Sequence, residues 1–138
     1  MVKKIYLVGA MSGKTHEEVY EWRADAKYFL ERQFRVIDPA DYYCAIGEPT
    51  YDTDKEYVRW ELRSVKNCDL LVAKVEDGFN SLGTTAEITT AYNNDIPILL
   101  LVDSKDQKVH PFIEEMCDKK FTSIEDLWQY AKEYYDKW

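Results

Sequence analysis

69-DLLVAKV-75 is apolar at every position from Leu70 to Val75 except Lys74. A second run, 96-IPILLLV-102, has the same character. Short apolar runs of this kind suit central strands of a parallel sheet, which are covered on both faces. The segments around them alternate between strand-like and helix-like. Residues 3–10, containing KIYLVGA at 4–10, read as a first buried strand ending in a glycine turn. Thr15 to Gln33 reads as a helix, with a Thr15/Glu18 capping box and Val19, Trp22, Ala26 and Phe29 on one face. A short strand, 34-FRVID-38, is stopped by Pro39, and a polar, tyrosine-bearing loop runs to residue 54.

Lys55 to Asn67 reads as a helix with a stripe of Val58, Leu62 and Val65, and residues 84–94 as another. A short helix over Pro111–Cys117, a brief strand near Lys120–Thr122 and a last helix from Ser123 complete the pattern. Strands alternating with helices imply parallel strands joined by right-handed crossovers. The reading is a three-layer α/β sandwich of about five strands in one domain, residues 1–138. Ligands of such folds bind at the carboxyl ends of the strands, where the strand order reverses. That rule selects three loops: 9-GAMSGK-14, 38-DPADYY-43 and 76-EDGFNSLG-83.

Composition excludes several classes. Net charge is −8 with no basic stripe, so double-stranded nucleic acid is a poor ligand. No apolar run approaches the ~20 residues of a membrane helix, and no signal peptide is read at the N-terminus. Cys44, Cys68 and Cys117 are odd in number and lack metal-ligand spacing. They are read as unpaired thiols of a reducing cytosol, with no metal site. His16 is read as a solvated residue of the first capping turn.

The stretch 81-SLGTTAEI-88 carries the chemical question. Thr84 and Glu87 have capping-box spacing, which on the ordinary reading makes Glu87 the partner of a Thr84 cap. Yet Glu87 shares the sheet-facing side with Thr84, Ile88 and Ala91, where a carboxylate is costly unless paired or working. Glu61 repeats the anomaly on the Val58–Leu62–Val65 stripe, with Arg35, Arg59 or Arg63 as its ordinary partners. Two such carboxylates at one sheet edge suit acid and nucleophile work at a glycosidic carbon. Tyr6 could hold one of them, or simply be a core aromatic. Gly9, Ser12, Gly13 and Lys14 could cradle phosphate, or form an ordinary turn. Tyr42 and Tyr43 could stack on a planar base, and His110 is a surface residue by default.

KIYLVGAMSG, an acidic residue eight positions before Asp69, and SLGTTAE together resemble the nucleoside 2-deoxyribosyltransferase superfamily over residues 3 to 102. The resemblance implies a flavodoxin-like fold with strand order 2-1-3-4-5. It implies Glu87 as nucleophile, Tyr6 as the residue that orients it, and Glu61 in place of a family aspartate one methylene shorter. Transferases acting on free nucleosides carry aspartate six residues before the nucleophile. The branch hydrolysing 2′-deoxynucleoside 5′-monophosphates carries serine there, and this chain has Ser81. By that resemblance Ser81, Gly83, the first loop and a stretch near His110 would contact phosphate; Asp38, Tyr42 and Tyr43 are the expected base contacts. The expected ligand is a small nucleotide or nucleoside, with no cofactor, in a dimer or dimer of dimers. Base exchange between deoxynucleosides and a binding module without turnover stay open as alternatives. A phosphoribohydrolase resembling lysine decarboxylases is disfavoured, because Ser81-Leu82 replaces the double glycine of that group.

Overall fold

The computed structural model describes residues 2–42, 52–77 and 81–136. Its five strands are β1 (Lys4–Val8), β2 (Arg35–Ile37), β3 (Leu70–Lys74), β4 (Ile98–Leu101) and β5 (Lys119–Phe121). They form one parallel sheet in the order β2-β1-β3-β4-β5. The helices are α1 (His16–Leu30), α2 (Asp54–Lys66), α3 (Leu82–Asn93), α4 (Pro111–Glu114) and α5 (Ile124–Tyr134). This is the flavodoxin-like three-layer architecture. The strand order reverses between β1 and β3, and the crevice at their carboxyl ends is where such folds bind ligands.

Alternation along the strands divides the core in two. Ile5, Leu7, Leu70, Val72, Leu99 and Leu101 pack with α1 and α5 through Ala26, Leu30, Leu127 and Trp128. Tyr6, Val8, Leu71, Ala73, Ile98 and Leu100 face the other way, against Val65 of α2 and Ile88 and Ala91 of α3. Tyr6 lies between Ile37 and Leu71 in the ladder. It therefore points toward the layer that carries Glu61 and Glu87.

Two helices meet the sheet differently from the sequence expectation. The buried residues of α1 are Val19, Arg23, Ala26 and Leu30, while Trp22 and Phe29 are half-buried. In α2, Val58 is exposed and only Val65 is fully buried. Its inward side runs through Tyr57, Trp60, Glu61, Ser64 and Val65. Leu62 is half-buried and Val65 buried, as the apolar stripe expects, but Val58 is not, because the inward face is turned toward 57, 61 and 64. Capping boxes start α1 at Thr15/Glu18 and α2 at Thr53/Glu56. The expected box at Thr84/Glu87 does not form. Ser81 caps α3, accepting from the Thr84 amide, and Glu87 takes no part.

Arg23 is 1% exposed. Its Nη1 donates to Asp38 Oδ1 at 2.6 Å and its Nη2 to the Gly9 carbonyl at 2.8 Å. Asp38 also accepts from the Ala40 amide and lies 2.8 Å from Lys27 Nζ. The guanidinium thus ties α1 to the ends of β1 and β2. Gly9 permits this closeness, because a Cβ there would lie 2.6 Å from Trp22 Cζ2. Removing one member of a buried ion pair strands the other as an uncompensated charge. Arg23→Met should cost about 3 kcal/mol in urea unfolding, the low end of the usual range because Lys27 remains beside Asp38. Arg23→Met with Asp38→Asn should cost less than Arg23→Met alone.

Candidate functional site

The cleft at the carboxyl ends of β1 and β3 has a volume of about 660 Å³. Two of the three loops selected from sequence build it. Gly9 to Ser12 and Lys14 come from the loop after β1, and Glu76, Asp77 and Ser81 from the loop after β3. Tyr57 and Glu61 of α2 and Leu82, Gly83, Thr84 and Glu87 of α3 close it.

Glu87 is 8% exposed and its Oε2 accepts a hydrogen bond from Tyr6 Oη at 2.8 Å. The bond links β1 to α3 across 81 residues of sequence. Burial pushes the Glu87 carboxyl up to about 8; the Glu61 charge adds to this, while the Tyr6 bond and Arg23 oppose it. Burial likewise raises Glu61 to about 7, against the field of Arg23. Among the described residues, no ion pair to Arg35, Arg59 or Arg63 forms at Glu61. Burial and Glu87 drive the Tyr6 phenol far up, so it remains a proton donor to the carboxylate. The arrangement offers two carboxyl groups that titrate near neutrality, one of them held at one oxygen.

Ser81 opens the twelve-residue α3, with the helix N-terminus at the cleft wall. Its Oγ donates to Thr84 Oγ1 at 3.3 Å. In the first loop, Lys14 N donates to Met11 O, closing a turn in which Gly13 has φ +75°. Gly13 is required by that backbone, since L side chains rarely adopt positive φ. It is not among the residues lining the cleft. Lys14 Nζ is held by Glu76, with Glu18 Oε2 at 3.9 Å.

The remaining expected residues lie elsewhere. Asp38 is 1% exposed and engaged by Arg23 and Lys27, so its carboxylate does not face the cleft. Tyr42 packs on Trp60, ring centroids 4.9 Å apart, outside the cleft lining. Tyr43 and Cys44 lie outside the described residues. His110 caps α4, its Nδ1 accepting from the Phe112 amide, and lines a second cavity of about 460 Å³. That cavity shares Glu76 and Asp77 with the cleft. Burial pushes the Cys68 and Cys117 thiols up to about 12, which leaves both poor nucleophiles. Among the described residues there is no metal-binding cluster of His, Cys, Asp and Glu, and no helix long and apolar enough to cross a membrane.

Sequence reasoning missed Arg23, Glu76, Asp77 and Tyr57. Arg23 carried a usable signal: a charge between Val19 and Ala26 on an apolar face is the same anomaly that drew attention to Glu61. Glu76 and Asp77 lay in a selected loop, but their role depends on what faces them across the crevice.

No protein-family model and no curated protein matches the chain. Solved structures do. A 2-deoxyribosyltransferase from Bacillus psychrosaccharolyticus superposes with a TM-score of 0.73 at 17% identity, covering 92% of this chain and 91% of that one. The CMP N-glycosidase BcmB of Clostridium botulinum gives 0.65 at 18% identity, covering 96% and 100%. A 2-deoxyribosyltransferase from Leishmania mexicana gives 0.71 at 14% identity, covering 96% and 99%. At these identities the likeness establishes a shared fold.

The raised carboxyls have a consequence for folding. Between pH 4.5, the ordinary value, and about 8, native Glu87 retains a proton that the unfolded chain has lost. The native state binds more protons there, so stability falls as pH rises through that window. Glu87→Gln should flatten this decline, read as a smaller loss of denaturation midpoint between pH 5 and pH 9.

Proposed function

We propose that the chain hydrolyses the N-glycosidic bond of a nucleoside 5′-monophosphate through a glycosyl intermediate on Glu87. The observation that carries this reading is the buried Glu87 carboxyl, held by Tyr6 in a cleft that also contains Glu61. A buried carboxyl beside a second one is destabilising unless the site uses it.

With Oε2 bound to Tyr6, Oε1 is the atom left to attack C1′ of the sugar. The C1′–N bond breaks as the Oε1–C1′ bond forms. Protonated Glu61 gives its proton to the leaving base. Glu61, now ionised, then takes a proton from water, which attacks C1′ and frees Glu87, with net retention at the anomeric carbon. Fixing the carboxylate in advance removes part of the orientational cost of attack. Lys14, Ser81 and the α3 N-terminus form the wall that would receive the 5′-phosphate. The solved structures of like fold named as a CMP N-glycosidase and as 2-deoxyribosyltransferases support N-glycosidic chemistry of this kind.

One observation favours a second reading, base exchange between free nucleosides. Glu76 and Asp77 stand on the same wall as Lys14, and two carboxylates oppose a phosphate. Chromatography of a panel of ribo- and deoxynucleoside 5′-monophosphates and their free nucleosides, with and without a second base, separates the two. The expected result is base release from monophosphates, abolished in Glu87→Ala. Exchange onto the second base from free nucleosides alone would establish the second reading, and release from free nucleosides without exchange would remove the phosphate from the first. Binding without any release would leave a nucleotide-binding module.

The two carboxyls should govern the pH profile as a pair. Catalysis needs one proton on the pair, in the minor form with Glu61 protonated and Glu87 ionised, since burial leaves Glu87 the weaker acid of the two. Log kcat/KM should therefore be bell-shaped, with limbs near about 7 and about 8. Glu61→Gln should lower kcat by about 10²–10⁴. It should also remove the alkaline limb and leave only an acid limb set by the ionisation of Glu87.

A further inference from the structure

Lys14 ends the turn after β1, and Glu76 lies two residues beyond the end of β3. β1 and β3 are neighbouring parallel strands, so these residues face each other across the reversal in strand order. Their side chains meet: Lys14 Nζ donates to Glu76 Oε1 and has Glu18 Oε2 on another side at 3.9 Å. Both Lys14 and Glu76 line the cleft. Among the described residues lining it, Lys14 is the only cation, set against the carboxyls of Glu61, Glu76, Asp77 and Glu87. Among the described residues of the cleft lining, the side-chain cation that could meet an anion is thus already occupied.

We propose that Glu76 is a specificity-determining residue that occupies the Lys14 ammonium and so sets the preference of the cleft between substrates with a 5′-phosphate and with a free 5′-hydroxyl. The proposal rests on the N-glycosidase reading for the identity of those substrates. Its physical content is an exchange. A phosphate reaching Lys14 displaces the Glu76 carboxylate, which is left beside a dianion. A 5′-hydroxyl reaches the same wall without breaking the pair. Ser81 permits phosphate by presenting a hydroxyl, while Glu76 opposes it by holding the cation. The two residues act on the same group of the substrate in opposite senses.

A rim ion pair with no such role would contribute little and leave selectivity untouched, and a double-mutant cycle distinguishes the two. The full chain, E76Q, K14M and E76Q/K14M are compared in two assays. One is titration with inorganic phosphate. The other is the ratio of kcat/KM for a nucleoside 5′-monophosphate to that for its nucleoside. E76Q should tighten phosphate binding and raise the ratio, each by about tenfold, the scale of one additional charge-assisted hydrogen bond. K14M should cancel both effects. Glu76→Ala, a second variant, should act in the same direction as E76Q. Phosphate affinity and ratio unchanged in E76Q would overturn the proposal, and so would an increase that persists with K14M, since that would be a general field effect. If no variant turns over any substrate, the glycosidase reading fails, and the phosphate titration still decides whether Glu76 controls Lys14.

Discussion

The hydrogen bond from Tyr6 to Glu87 organises this molecule's cleft. A carboxyl buried among Thr84, Ile88 and Ala91 is expensive, and its desolvation is only partly offset by one phenol donor and the field of Arg23. Both ends must be fixed for that bond to form. Tyr6 is held by its place in the ladder between Ile37 and Leu71. Glu87 is held by the packing of Ile88 and Ala91 against the sheet. The fold therefore supplies the geometry, and the site retains a group that stability alone would not select. Residues of this type mark function because packing gives no reason for them.

The sequence made the fold legible where burial is uniform. Leu70–Lys74 and Ile98–Leu101 are covered on both faces, and their apolar runs announce it. The alternation of helix and strand then implies parallel strands joined by right-handed crossovers, while the order 2-1-3-4-5 is implied only by the family resemblance. Helix faces were less legible. In α1 the buried stripe passes through Arg23, and in α2 the half-buried face passes through Tyr57 and Glu61. Both faces carry polar or charged groups because they meet the cleft or the ends of strands. A search for apolar residues alone slides to the neighbouring face, as it did toward Val58.

The Thr84/Glu87 spacing shows why a local pattern cannot decide between cap and catalyst. A helix has one N-cap, and 81-SLGTTAE-87 holds two candidates three residues apart, Ser81 and Thr84. Starting at Ser81 adds a turn to α3 and places Glu87 one turn deeper, on the buried side. There Glu87 meets Tyr6 rather than the backbone of a cap. Glu18 and Glu56, at the genuine capping positions, have no such partner, and each bonds back to the backbone of its own cap. Asp38 shows the complementary case. Its loop position marked it as a ligand contact, but a buried arginine from another element claimed it.

The same logic extends to the charges of the cleft. An acidic chain with Glu61, Glu76, Asp77 and Glu87 around one crevice should repel anions unless its cations are placed to compensate. Among the described residues, Arg23 acts on the two carboxyls and Lys14 lines the cleft, and they are committed differently. Arg23 is locked by Asp38 and Gly9 beneath the floor, where it lowers the cost of ionising Glu61 and Glu87 and cannot move toward a ligand. Lys14 sits at the rim on a flexible stem, paired with a carboxylate that is itself partly in water. Only the second can exchange partners at small cost. The cleft thus separates a fixed cation beside the carboxyl pair from an exchangeable one at the rim, and under the proposed function the partner of the exchangeable one is where selectivity would be adjusted.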